Sequence, residues 1–266
     1  MTSRFTSIKG VLLDLSGTLH IDNAVTSGAV EALGRLRGTG IKIRFVTNST
    51  KTSDARLHAK LSKLGFDLSP SEIFSSLSAA KRLVRQRNYR PLLILEDEAL
   101  EQFADVNQDA PHNAVVIGLA PSKLDYAHLN RAFAALLGGA DLVGIHRAKY
   151  YASAEGQLSL GPGGFVAALE YAADRQAVLV GKPARAFYEL ALKDMGLLES
   201  PERVVMVGDD VLADLGSGAQ DLGLLRVLVK TGKYREGDEG KAEVPVDGVY
   251  NTFAAFVDAV VASGVV

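Results

Sequence analysis

The sequence predicts an α/β fold of the doubly wound type, a mostly parallel sheet with helices on both faces. Two observations carry that expectation. Short apolar runs alternate with stretches of helical periodicity along the whole chain. Four of those runs also end in polar residues of a particular kind. In an open parallel sheet the carboxyl ends of the strands are where a ligand binds.

Taken in order, Val11-Leu12-Leu13 reads as the end of a buried strand running into Asp14. An amphipathic helix starts near Ser27 and continues from Glu31 to Arg37. Ile41-Lys42-Ile43-Arg44-Phe45-Val46 is rich in β-branched residues and strand-like. Residues 54–64 are helical, with Leu57, Leu61 and Leu64 on one face. Leu92-Leu93-Ile94-Leu95, Ala114-Val115-Val116-Ile117 and Leu142-Val143-Gly144-Ile145 are further strands, and residues 126–137 a helix among them. Gly161-Pro162-Gly163-Gly164 reads as a turn opening a helix through the periodic residues 165–172. Ala177-Val178-Leu179-Val180 leads into Gly181-Lys182-Pro183, and Val204-Val205-Met206-Val207 into Gly208-Asp209-Asp210. Leu225-Arg226-Val227-Leu228-Val229 is the last strand and residues 252–262 the last helix. No internal repeat or low-complexity linker marks a domain edge.

Composition bounds the function. The 266 residues are 47% hydrophobic and 23% charged, ordinary for a globular protein with a sizeable core. Lys plus Arg number 29 against 31 Asp plus Glu, a formal net charge of -2. No global field therefore points to nucleic acid or an acidic membrane. The absence of cysteine excludes disulfides, thiolate metal sites and cysteine nucleophiles. The first ten residues are polar, and no apolar stretch is long enough to span a bilayer, so a cytoplasmic protein is expected.

The four polar clusters are Asp14-Leu15-Ser16-Gly17-Thr18, Thr47-Asn48-Ser49, Gly181-Lys182-Pro183 and Gly208-Asp209-Asp210, with Asp214 one helical turn beyond the last. All four are expected on one edge of the sheet, around one crevice. Asp14 and Asp209 are hard oxygen ligands suited to Mg²⁺. The hydroxyl of Thr47 and the amides of the turn at Asn48 suit phosphate oxygens. Lys182 can neutralise charge where a phosphate meets carboxylates. Phosphoryl transfer needs this inventory. Taken singly, each cluster is more often a turn, a loop or a helix cap; their joint occurrence in this order is the informative feature.

These clusters resemble, in order, the four motifs of the haloacid dehalogenase superfamily of hydrolases. The resemblance covers nearly the whole chain and is nearest to members with a large α/β cap between the second and third motifs. It implies a core from residues 1–77 and 178–266 and a cap from residues 78–177. It implies that Asp14 is the nucleophile, forming an aspartyl-phosphate, and also a Mg²⁺ ligand. The Ser16 carbonyl and Asp209 would complete the ligands, with Asp210 and Asp214 orienting metal-bound water behind them. Thr47 and Asn48 would hold the phosphoryl group, and Lys182 would bridge it to Asp14. His146 and Lys149 lie in His146-Arg147-Ala148-Lys149-Tyr150-Tyr151, a cap region that overhangs the active site in capped relatives and helps select a small phosphorylated substrate. Caps of this type often pair, so a homodimer is expected.

Ser16 departs from the pattern, because most phosphatases of the superfamily carry Asp there as general acid and base. A serine hydroxyl does not titrate where proton transfer is useful. Two expectations follow. Either the protein hydrolyses phosphates whose leaving groups need little protonation, such as pyrophosphates, acyl phosphates or phosphoramidates, or it is a weak or inactive binder of metal and phosphate with a regulatory or interaction role.

Other features are weaker. Leu215-Gly216-Ser217-Gly218-Ala219-Gln220 lacks the third glycine and preceding strand of a dinucleotide fingerprint, so helix packing is preferred. His20 and Asp22 follow the first cluster and suit either the pocket or a turn. A response-regulator receiver is the main rival fold. It would be about half this length and would place its acidic pair before the phosphorylated strand.

Overall fold

The structure, a computed structural model, describes residues 5–152 and 158–264. In chain order the elements are β1 (Gly10–Asp14), β2 (His20–Ile21), β3 (Ala24–Val25), α1 (Ala29–Gly38), β4 (Lys42–Thr47), α2 (Asp54–Lys63), β5 (Ile73–Ser75), α3 (Ser76–Gln86), β6 (Pro91–Ile94) and α4 (Asp97–Leu100). They continue with β7 (Ala114–Ile117), α5 (Tyr126–Leu137), β8 (Asp141–Gly144), β9 (Tyr150–Ala152), β10 (Leu158–Leu160), α6 (Gly163–Ala173) and β11 (Val178–Leu179). The last are α7 (Arg185–Met195), β12 (Val204–Gly208), α8 (Ser217–Asp221), β13 (Leu225–Val229), β14 (Gly248–Tyr250) and α9 (Phe253–Ala262). None of the described helices is long and apolar enough to cross a membrane.

The chain divides into two units. The first comprises residues 1–47, 58–74 and 182–266. Its six-stranded sheet has the order β14-β13-β12-β1-β4-β5. β1 pairs in parallel with β12 on one side and β4 on the other. That central position explains its sequence: every residue of β1 is buried, so the run is continuously apolar instead of alternating. Because β4 follows β1 on one side and β12 lies on the other, the strand order reverses beside β1. Such a switch point opens a crevice at the carboxyl ends. α9 buries Phe253, Phe256, Val257 and Val260, the spacing of one helical face. Thr252 caps it by accepting a hydrogen bond from the Ala255 amide at 3.1 Å. α9 packs on α1, and α7 on α8 and β4.

The second unit comprises residues 48–57 and 75–181. Its four-stranded sheet has the order β11-β8-β7-β6, all parallel. Leu92, Ile94, Val115, Ile117 and Leu142 from the strands pack with Ala132 and Leu136 of α5 and Val166 and Leu169 of α6. β9 and β10 form a separate antiparallel pair.

One expectation is corrected. Residues 177–180 do not add a fourth strand to the edge that carries the other three clusters. They supply β11, which pairs with β8 in the second sheet. An apolar run states that a strand is buried, but its hydrogen-bonding partner is a long-range choice. Several elements carry too little local signal to be read: β5, β14 and the β9–β10 pair are three residues per strand.

Candidate metal and phosphate site

β1 delivers the first side chain. Asp14 is its last residue and is buried. The chain then turns through Gly17, which sits at φ +99° with the Asp209 carboxylate where a Cβ would project. Only glycine accommodates both demands. The turn returns Thr18 to Asp14, and its hydroxyl donates to Oδ2 at 3.2 Å.

β12, hydrogen-bonded alongside β1, delivers Gly208 and then the buried Asp209. Asp210 follows, and its Oδ1 accepts from the amides of Leu212 at 3.1 Å and Ala213 at 2.9 Å. This local turn folds the chain back. It brings Asp214 over Gly208, where the Asp210 amide donates to Asp214 Oδ2 at 3.1 Å. The buried Tyr188 of α7 fixes the same loop from behind, its hydroxyl donating to the Asp214 carbonyl at 2.7 Å.

Lys182 joins these loops. Its Nζ lies 2.5 Å from Asp14 Oδ1 and 2.8 Å from Asp214 Oδ1, and donates to the Val46 carbonyl at 3.2 Å. Burial alone would lower its pKa, but Asp14 and Asp214 raise it above the ordinary lysine value, so it is an ammonium. Asp214 is pushed up to about 6, by burial first and then by the Asp14 charge. Asp209 is raised well above the carboxylate range, again by burial and then by Asp14 and Asp214. One ammonium therefore does not compensate this group of buried carboxylates. An oxygen from each of Asp14, Asp209 and Asp214 lies within 4.8 Å of the others. All-oxygen donors at that spacing, with excess negative charge, fit a hard divalent cation.

The loop after β13 completes the arrangement, and sequence reasoning assigned it no role. Thr231 Oγ1 donates to the Gly17 carbonyl at 2.5 Å. The Lys233 amide donates to Asp209 Oδ2 at 2.7 Å, and its Nζ lies 3.3 Å from Asp210 Oδ2. Between them Gly232, at φ +58°, sits against Asp209 and the Gly17 Cα. The available signal was a Thr-Gly-Lys tripeptide directly after an apolar strand.

The first unit thus brings together Asp14, Asp209, Asp210, Asp214 and Lys182. Thr47 is in the same unit, buried at the end of β4. Ser16 is exposed and bridges to His20. His20 is buried in the β2–β3 hairpin, with Nδ1 2.9 Å from the Asp22 carbonyl. Asn48, His146 and Lys149 belong to the second unit. His146 is buried, its Nδ1 3.3 Å from the Ala148 amide, whereas Lys149 is exposed beside β9. Gly216 and Gly218 pack at α8, where a Cβ on Gly218 would run into the backbone of residues 183–185. That agrees with the packing reading of the segment.

Comparison with known proteins identifies the family. A family model described as haloacid dehalogenase-like hydrolase matches residues 11–108, and a second, HAD-hydrolase-like, matches residues 179–256. Haloacid dehalogenase-like hydrolase domain-containing protein 2 of Pongo abelii is 52% identical over 252 residues, 95% of each chain. Phospholysine phosphohistidine inorganic pyrophosphate phosphatase of Danio rerio is 41% identical, covering 96% of this chain and 94% of that one. The fold matches the crystal structure of 4-nitrophenylphosphatase from Thermotoga maritima with a TM-score of 0.88 at 24% identity, covering 97% of this chain and 99% of that one. Since both motif-bearing segments match and half the residues are shared with a relative over nearly the full length, the chain belongs to the haloacid dehalogenase-like hydrolases.

Proposed function

We propose that this hydrolase is a Mg²⁺-dependent phosphatase that works through an aspartyl-phosphate on Asp14. The observation that carries the reading is the pairing of Asp14 with Lys182 inside a buried group of carboxylates spaced for one cation. Asp14 and Asp209, with the Ser16 carbonyl, would hold the metal, and Asp214 and Asp210 would orient its water. Bound Mg²⁺ supplies positive charge that offsets the carboxylates and the transferring phosphoryl group.

The chain's own groups do the rest. Lys182 orients the Asp14 carboxylate and neutralises charge gathering on the phosphoryl oxygens. Thr47 and the Asn48 amide hold those oxygens in line. A carboxylate oxygen of Asp14 attacks phosphorus as the bond to the leaving group breaks, and the leaving group departs with that electron pair. Water then attacks the phosphorus, the bond to Asp14 breaks, and phosphate and a proton are released. The second unit would serve as the cap, with His146 and Lys149 contributing to substrate selection.

Ser16 directs the substrate class. Without a carboxylic acid there, leaving groups that need little protonation by the enzyme are favoured: pyrophosphates and acyl phosphates, which release stable anions, and phosphoramidates, whose nitrogen is already protonated and leaves as a neutral base. A relative named for phospholysine, phosphohistidine and pyrophosphate supports this choice. The similarity to hydrolases gives no support to an inactive binding protein.

The test is a hydrolysis panel of pyrophosphate, a phosphoramidate and p-nitrophenyl phosphate, with and without Mg²⁺. Turnover requires Mg²⁺ and disappears in Asp14→Asn. Ser16→Asp raises turnover of alkyl phosphates, toward the roughly 10²–10⁴-fold worth of general acid catalysis. A well-folded sample that hydrolyses nothing, or an Asp14→Asn variant as active as the parent, overturns the reading.

A further inference from the structure

The second unit holds a cavity of about 290 Å³. One wall is β6, the edge strand of the four-stranded sheet. The others are the loop carrying Gln108 and His112 and the start of α5. No carboxylate lines it. Lys123 and His128 also face it, but each already has a partner: Lys123 Nζ lies 2.5 Å from Asp97, and His128 Nδ1 lies 2.8 Å from Asp125.

The remaining polar groups do not have partners. Arg131 lies three residues after His128, so the two share a face of α5. Among the described residues, its guanidinium and the Gln108 amide make no hydrogen bond or ion pair. The Nδ1 of His112 is buried with no hydrogen-bond partner. Arg131 and Gln108 offer donors, and the other ring nitrogen of His112 offers one in the matching tautomer. The wall formed by β6 is the free edge of the four-stranded sheet.

We propose that this cavity binds a small organic anion, with its charged head at Arg131, Gln108 and His112 and its body along the edge of β6. The volume is at the small end of ligand pockets. A carboxylate and a phosphoryl group present the same acceptor chemistry to these donors.

The test is amide NMR in Mg²⁺-free buffer with three probes of similar shape: benzoate, phenylphosphonate and benzamidinium. At least one anion produces saturable shifts at the Gln108, His112 and Arg131 amides, and the tighter of the two identifies the head group. The cationic probe leaves those amides unmoved. Arg131 is exposed, so Arg131→Ala keeps the parent melting temperature while affinity falls at least about tenfold, or about 1.4 kcal/mol. The proposal is overturned by shifts that do not saturate, by an equal response to benzamidinium, by shifts confined to Gly17 and Asp209, or by unchanged affinity in Arg131→Ala.

Discussion

Gly232, like Gly17, is a residue at which backbone conformation and the buried carboxylates meet. At φ +58° it occupies a region that L side chains enter at a cost, and a Cβ would strike Asp209. Gly232→Ala is therefore expected to destabilise by about 1–3 kcal/mol and to weaken Mg²⁺ binding by turning the Asp209 carboxylate. Thermal melting and a Mg²⁺ titration check the two effects separately; wild-type metal affinity would show that this loop does not position Asp209. Tyr188 is a second such residue, acting through the Asp214 carbonyl. Tyr188→Phe keeps the ring packing and loses the hydrogen bond, a net change of about 1 kcal/mol. Its effect is expected in kcat, with KM held, because the loop it fixes carries Asp214 and Asp210, to which the proposed function gives metal-bound water and not the substrate. A rise in KM alone would contradict that. Neither residue was legible beforehand. A glycine or a tyrosine in sequence does not disclose that a carboxylate from another loop lies against it.

Helices and strands were easier to read where one face is buried along a regular period. α5, spanning Tyr126–Leu137, coincides with the expected residues, and α9 begins directly after its Thr252 cap. The β1 and β7 runs were equally plain, because strands buried on both faces are continuously apolar. Short elements were not, since three residues offer no period to detect. One tie between elements has a pH signature. Arg37 of α1 makes a bidentate pair with Glu72, at 2.8 and 2.7 Å. Burial alone would raise the Glu72 pKa, but the Arg37 hydrogen bonds hold it below the usual carboxylate value. A carboxylate with a lowered folded pKa stabilises above its unfolded pKa and loses that contribution as pH falls through the folded value. Arg37→Ala is thus expected to cost about 1–2 kcal/mol at pH 7, since the pair is partly exposed. The gap from the parent narrows below about pH 4.3. Denaturant midpoints measured from pH 7 to pH 3 test this, and a gap independent of pH would refute the assignment.

Over the whole molecule, the charge imbalance around Lys182 would couple folding to the proposed Mg²⁺. Lys182→Met leaves buried Asp14 and Asp214 without their cation, and breaking such a pair costs about 3–5 kcal/mol. The melting temperature should fall by roughly 6–20 °C, at about 2–4 °C per kcal/mol for a chain of this size class. Saturating Mg²⁺ should raise it for the parent, by about 2.7 kcal/mol at a hundredfold excess over Kd. Calorimetry with and without Mg²⁺ reads both, and a parent protein indifferent to Mg²⁺ would count against the metal site. The sequence by itself determined the α/β alternation, the buried strands and which polar residues follow them, because burial periodicity and residue type are local properties. Only the tertiary structure decided that β11 joins the second sheet although Lys182, three residues on, reaches Asp14, and that the Thr231–Lys233 loop closes on Asp209. Strand partners and loop contacts are choices made across long stretches of chain, where many pairings satisfy the same local pattern and packing selects one.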